Sequence, residues 1–134
     1  MENYSSESKY VYFNSRDALI KIDLTKVVYF AADGNYTSIV SLLPDPKAIV
    51  LANLGKIERL LAVSAKSRGA VFVRLGKRFI INVKYIFSIT PLRQELVLSD
   101  QSTFCYKLDV SKDALKTLKE MMMTSVKTNK EKQE

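Results

Sequence analysis

Short runs of apolar and β-branched residues recur along most of the chain, with turn-forming residues between them. This spacing is typical of antiparallel strands joined by short connections. We predict strands at residues 10–13, 18–22, 27–31, 36–43, 71–73, 79–81, 86–90, 95–98 and 104–108. The pattern therefore predicts a mainly β fold.

Two segments have the spacing of short amphipathic helices instead. Apolar residues recur at positions 54, 57, 60 and 61, where Asn53 is placed to cap the first turn. They recur again at positions 115, 118, 121 and 122, after Ser111 and with Asp113 in the favourable first turn. We expect both helices to pack on the sheets.

The length of 134 residues suits one domain with a hydrophobic core. Residues 1–17 are predicted to be an N-terminal extension that could include an edge strand, and residues 18–123 are predicted to form the domain. Residues 124–134 are polar and poor in apolar side chains, so we predict a disordered tail there.

Missing residue types and segments exclude several classes of site. The chain has no His, which excludes His-based proton transfer and His-ligated metals. Its one cysteine, Cys105, cannot form an internal disulfide or a Cys-rich zinc site. We expect no enzyme activity, cofactor or metal. A polar N-terminus and the lack of any apolar run of about 18 residues favour a reducing, cytoplasmic setting.

Residues 66–84 concentrate positive charge and contain no Asp or Glu. The cations of this segment are Lys66, Arg68, Arg74, Lys77, Arg78 and Lys84. Residues 74–78 are predicted to form a loop between two strands, with Gly76 at the turn. The net charge is +7 and the pI is about 9.5. A basic loop held by a sheet suits a polyanion, and DNA is the leading candidate.

Each candidate binding segment also has a simpler explanation. The turn at residues 33–36 could present polar side chains to a ligand, although most such turns only connect strands. Lys77 and Arg78 could contact phosphates or could be ordinary solvated cations of the surface. Their charges alone favour neither explanation. Ser111 begins a helix whose N–H groups could hold a phosphate, but such a serine is more often a cap.

Four segments form an ordered pattern. Residues 22–37 contain a strand that ends in an acidic-Gly-Asn-Tyr turn, and residues 54–61 have a Leu-rich helical face. Residues 72–82 read FVRLGKRFIIN, and residues 110–112 read VSK before the last helix. Together these segments resemble the LytTR DNA-binding domain family of bacterial transcriptional regulators, over residues 18–122.

The resemblance implies packed antiparallel β-sheets whose loops enter successive major grooves of double-stranded DNA. It implies sequence-specific binding that regulates transcription. By motif position, it implies DNA contacts from a set of residues in three loops. These residues are Asn35, Tyr36, Thr37, Gly76, Lys77, Arg78, Ser111 and Lys112.

The chain departs from the family pattern at several of these contact positions. Lys77 and Arg78 stand where many members have Arg and then Ser. Gly76 replaces a common His, and Lys112 stands where Arg is frequent. Because Lys lacks the planar fork with which Arg binds guanine, base preference does not carry over.

The family often joins this domain to an N-terminal receiver or a membrane segment, but only about 17 residues precede the match. We therefore expect a free-standing regulator, without membrane association, that could respond to a separate regulatory protein or bind repeated half-sites as two copies. The alternative is a fragment of a longer regulator. Two other classes remain: a β-rich protein-interaction module whose basic loop binds an acidic partner, and sequence-tolerant RNA binding. The aromatic residues suit burial better than base stacking, which disfavours RNA.

Overall fold

The computed structural model describes residues 10–15, 17–42, 47–64 and 71–133. In these residues the helices are α1 (Leu54–Ser64) and α2 (Lys112–Gln133), and short 3-10 turns occur at Leu24–Lys26, Val83–Tyr85 and Pro91–Arg93. The strands are β1 (Tyr10–Asn14), β2 (Leu19–Asp23), β3 (Val27–Asp33), β4 (Tyr36–Ser41), β5 (Lys47–Val50), β6 (Phe72–Leu75), β7 (Phe79–Asn82), β8 (Ile86–Thr90), β9 (Glu95–Ser99) and β10 (Cys105–Asp109). The predicted mainly β, antiparallel fold is confirmed.

The chain divides into two compact units, residues 1–84 and residues 85–134. The first unit contains a five-stranded antiparallel sheet in the order β5-β4-β3-β7-β6 and a two-stranded sheet, β1-β2. The second unit contains a three-stranded antiparallel sheet in the order β10-β9-β8, together with α2. In the five-stranded sheet, β3 is central and pairs with β4 on one side and β7 on the other.

Phe30, on β3, lies in the core of the first unit and is fully buried. Its ring centroid lies 6.4 Å from that of Phe13 on β1 and 5.6 Å from that of Phe72 on β6. Aromatic pairs at such distances add to the free energy gained by burial alone. The β1-β2 hairpin is therefore packed onto the larger sheet through aromatic rings.

Helix α1 covers this core with the apolar face that its sequence predicts. Leu54, Ile57 and Leu61 are buried and belong to the same hydrophobic cluster as the sheet residues. Full burial of such a side chain contributes about 1.5–3 kcal/mol. The Asn53 Oδ1 atom accepts the N–H of Lys56 at 2.9 Å, so the predicted N-cap is confirmed.

The second unit buries apolar residues of its sheet and of α2. Leu96 and Leu98 on β9 are fully buried. On α2, Leu115 is fully buried and Leu118 is 1% exposed. The helix contacts β8 and the Pro91–Arg93 turn. In the part of the chain that the structure describes, no helix is long and apolar enough to cross a membrane.

Two elements differ from the sequence-based predictions. Strand β5 is not predicted, because its four residues directly follow Pro44-Asp45-Pro46 and are too few to show a period. Helix α2 continues to Gln133, where the sequence predicts a disordered tail from Thr124. Lys, Glu, Gln and Met favour helix, and α2 contains no Gly or Pro. Lys66, Arg68 and residues 1–9 of the predicted extension lie outside the described residues.

Candidate nucleic-acid interface

Two of the three predicted binding loops lie side by side at one end of the five-stranded sheet. The β3–β4 turn follows Asp33, and the β6–β7 turn precedes Phe79. Because β3 pairs antiparallel with β7, Ala31 lies opposite Phe79. One residue further on, the Ala32 N–H donates to the Arg78 carbonyl oxygen at 2.8 Å. This hydrogen bond joins β3, two residues before the first turn begins at Gly34, directly to the second turn.

The first turn is a tight hairpin connection with Gly34 at its sharpest point. Asp33 pairs with Tyr36, so Gly34 and Asn35 are the two connecting residues. Gly34 has φ of 64°, a conformation that suits a residue without Cβ. Asn35 is exposed, and Tyr36 is 37% exposed. The turn therefore presents one amide and one phenol at the end of the sheet.

The second turn presents the cations. Leu75 pairs with Phe79, which leaves Gly76, Lys77 and Arg78 as the connection. Gly76 has φ of 62°, as the predicted turn position requires. Lys77 and Arg78 are both exposed, and the Arg78 guanidinium carbon lies 4.9 Å from the centroid of the Phe79 ring. That cation–π contact favours one side of the turn for the Arg78 side chain.

Thr37, predicted to contact DNA, is instead fully buried. Its Oγ1 atom donates to the carbonyl oxygen of Ala52 at 2.7 Å. The side chain therefore serves the fold next to the turn and is not available to a ligand. Strand alternation alone does not reveal this, because residues on both faces of β4 are buried from Thr37 to Val40.

The third predicted loop belongs to the second unit. The Ser111 Oγ atom accepts the N–H of Ala114 at 3.2 Å, so Ser111 caps α2. Lys112 is exposed in the first turn of this helix, next to Asp113. A helix N-terminus with an adjacent cation favours an anion.

The charges exposed at the two sheet turns are mainly positive. Lys77 and Arg78 lie on the second turn, and Asp33 is the one acidic residue of the first. In the described residues, no group of three or more Cys, Asp or Glu side chains is placed to hold a metal ion. The arrangement suits a large anionic surface, with the Asn35 amide on the neighbouring turn.

Comparison with known proteins identifies the family of this chain. A solved structure with a similar fold is the LytTr DNA-binding domain of a Bacillus cereus protein named as a methyl-accepting/DNA response regulator. The match has 22% sequence identity and a TM-score of 0.60, and it covers 86% of this chain and 97% of that chain. No curated protein matches the chain significantly. A family model described as the LytTr DNA-binding domain matches residues 17–123.

This chain belongs to the LytTR DNA-binding domain family. The resemblance carried by the four ordered segments is therefore confirmed. LytTR domains bind DNA and are not an enzyme family, so DNA is the partner that the family gives to this chain.

One residue of the LytTR-like segment 72–82 has a structural role that the sequence does not reveal. Asn82 is buried, and its Nδ2 atom donates to the Val27 carbonyl oxygen at 2.8 Å. Its Oδ1 atom accepts the N–H of Lys84 at 3.0 Å. This amide holds the end of β7 against the start of β3, at the sheet end opposite the two turns.

Proposed function

We propose that this protein binds double-stranded DNA sequence-specifically through the two adjacent turns of the five-stranded sheet, and so regulates transcription. One observation carries the proposal: the Ala32–Arg78 hydrogen bond ties β3, which leads into the turn with the exposed Asn35, to the turn with the exposed Lys77 and Arg78. This places a hydrogen-bonding amide and two cations on one rigid support. A site that reads bases while attached to phosphates needs both kinds of group.

The two turns have different roles in DNA recognition. Lys77 and Arg78 contact backbone phosphates, which supply most of the affinity and little sequence information. Asn35 contacts a base edge, because its amide both donates and accepts hydrogen bonds. The major groove is about 12 Å wide and admits a two-stranded β-ribbon, so a hairpin turn can enter it.

Ser111 and Lys112 contribute at the N-terminus of α2. The Ser111 hydroxyl already accepts a hydrogen bond from Ala114, so the contact comes from the Lys112 ammonium and from free N–H groups of the first helical turn. These donors favour phosphate. Their role is to hold the protein in register on the duplex.

The experiment that tests the proposal is selection of bound duplexes from a random pool. We expect enrichment of a motif, and tighter binding of the selected duplex than of a shuffled duplex of equal length and composition. A pool without an enriched motif contradicts sequence-specific regulation.

Competition for the selected duplex separates DNA binding from binding to an acidic protein partner, which the basic turn could also attract. Polyglutamate of matched charge serves as the competitor. Displacement of the selected duplex by polyglutamate at equal charge concentration would favour the protein-interaction module. The family match favours DNA.

A further inference from the structure

Arg74 makes two hydrogen bonds that link the basic turn to a helix. Its Nε atom donates to the Gly76 carbonyl oxygen at 3.0 Å. Its Nη1 atom donates to Glu58 Oε1, also at 3.0 Å, in an ion pair. Glu58 lies on α1, sixteen residues earlier in the chain. The sequence presents Arg74 only as one more cation of the basic segment.

The guanidinium group suits this bridging role because it is planar and holds its donors in a fixed geometry. When Glu58 fixes one nitrogen, the direction of the other is fixed as well. The Gly76 carbonyl is then held at a set position relative to α1. Gly76 has positive φ, and its backbone has more freedom than that of any other residue type. An external hydrogen bond therefore restrains the turn at its most flexible residue.

Helix α1 is also tied to the first turn. Thr37, at the start of β4, donates to the carbonyl oxygen of Ala52, two residues before α1 begins. The helix thus has one connection beside the Asn35 turn and a second, through Glu58 and Arg74, at the Gly76 turn. Both connections lie within the first unit.

We propose that Arg74 and Glu58 are positioning residues for DNA binding, and that α1 is the brace that fixes the basic turn at residues 76–78. This inference rests on the proposed function. Neither side chain contacts DNA in this role; they act through the Gly76 carbonyl, which sets where Lys77 and Arg78 project.

The contribution of the ion pair to folding stability is small. The Glu58 side chain is 55% exposed and that of Arg74 is 30% exposed, and solvent screens such pairs strongly. Removal of Glu58 should therefore leave the fold intact. Any loss of DNA affinity then reports on placement of the turn and not on unfolding.

A direct contact between Arg74 and a phosphate predicts the opposite sign for the Glu58 variant. If the cation bound DNA directly, Glu58 would compete with the phosphate, and its removal would strengthen binding. If Arg74 positions the turn, Glu58→Ala weakens binding even though it raises the net charge by one. The sign of the change distinguishes the two.

The test measures the dissociation constant for the selected duplex with three single variants and the parent. We expect Glu58→Ala to weaken binding by roughly three- to tenfold. Arg74→Lys keeps the charge but cannot reproduce the fork, and it should weaken binding similarly. Glu120→Ala, on α2, is the matched control because it removes one exposed acid, and it should bind as the parent does or slightly tighter.

A double-mutant cycle supplies a readout that a general structural role would not change. Glu58→Ala is combined with the Lys77→Ala, Arg78→Ala pair, which deletes the cations that the brace positions. We expect the Glu58→Ala effect to disappear in that background. An effect of equal size in both backgrounds overturns the positioning role, as does a Glu58→Ala variant that binds like the Glu120→Ala control. Failure of the parent to bind any duplex overturns the proposed function itself.

Discussion

Thr37 and Asn35 are two residues apart in the chain, yet their side chains have different surroundings. The Thr37 hydroxyl is buried against Ala52, and the Asn35 amide is exposed on the turn. Family position alone assigns both to the DNA interface. At the scale of single residues, burial decides which of the two can contact a ligand.

Thr37→Val should destabilise the fold, because it keeps the shape of the side chain and removes the hydrogen bond to Ala52. We expect the free energy of unfolding to fall by about 1–3 kcal/mol, measured by urea denaturation. Thr37→Ser keeps the hydroxyl and is the control for loss of that bond. If Thr37→Val unfolds at the same urea concentration as the parent, the bond to Ala52 does not stabilise the fold.

Asn35→Ala should lower the preference for the selected duplex over a random duplex by roughly 1–3 kcal/mol, through loss of a base contact. The turn should tolerate Ala, because the residue of the turn with positive φ is Gly34. Asn35 is not among the described residues with positive φ. Competition binding at fixed salt measures the preference, and thermal melting checks the fold. Equal preference in parent and variant would assign the amide to the turn alone.

At the scale of elements, the turns at residues 34–35 and 76–78 are each fixed by paired strands. The strands set their ends through the Asp33–Tyr36 and Leu75–Phe79 pairs. Groups held in this way lose little conformational entropy when they bind. The position of a cation at the sheet end should therefore matter more than its charge alone.

Lys77→Ala with Arg78→Ala should weaken duplex binding more than Lys26→Ala with Lys84→Ala. Each pair removes two positive charges from the first unit. Lys26 precedes β3 and Lys84 follows β7, so the control pair lies at the opposite end of the sheet. Dissociation constants for the selected duplex measure the difference, and circular dichroism confirms folding. Equal losses would mean that net charge governs binding.

The β9–β10 loop offers a test of pH dependence in the second unit. The Thr103 hydroxyl donates to Asp100 Oδ2, and the N–H groups of Ser102, Thr103 and Phe104 donate to Asp100 Oδ1. These hydrogen bonds hold the pKa of Asp100 well below its usual range, and the bond from the Thr103 hydroxyl has the largest effect. Desolvation of the carboxyl group has the opposite effect on the pKa. The carboxylate therefore contributes stability above the unfolded pKa of about 3.9, and this is lost as pH falls toward the folded value.

Asp100→Asn keeps an acceptor oxygen but has no carboxylate to protonate. Its melting temperature should therefore fall less than that of the parent between about pH 5 and pH 2. Thermal melts at matched ionic strength across this range measure the difference. Parallel curves for the two proteins would show that Asp100 does not contribute to acid sensitivity.

The sequence predicts elements well where a period is long enough to see. The helical face of Leu54, Ile57 and Leu61 is such a case, and its burial confirms it. Strand β5 has only four residues, and its pairing with β4 provides the hydrogen bonds that define it. The Arg74–Glu58 bridge was beyond sequence reasoning, because an ion pair across sixteen residues depends on how α1 and β6 pack.

At the scale of the whole molecule, a net charge of +7 should make duplex binding strongly dependent on salt. Each phosphate neutralised by Lys or Arg contributes a slope of about −0.9 to the logarithm of affinity against the logarithm of salt concentration. We expect the Lys77→Ala, Arg78→Ala variant to reduce the magnitude of this slope by about 2. Titrations of labelled duplex at several salt concentrations test this. A flat response in the parent would remove the phosphate-contact model.

The strand order β4-β3-β7-β6 also fixes the distance between the two hairpins. Neighbouring strands lie about 4.8 Å apart, so the midlines of the two hairpins are separated by about 10 Å. One turn of the DNA duplex rises about 34 Å, so two hairpin turns about 10 Å apart would fit within one helical repeat. A motif repeated about every ten base pairs in the selected duplexes would therefore report on contacts other than those of these two turns.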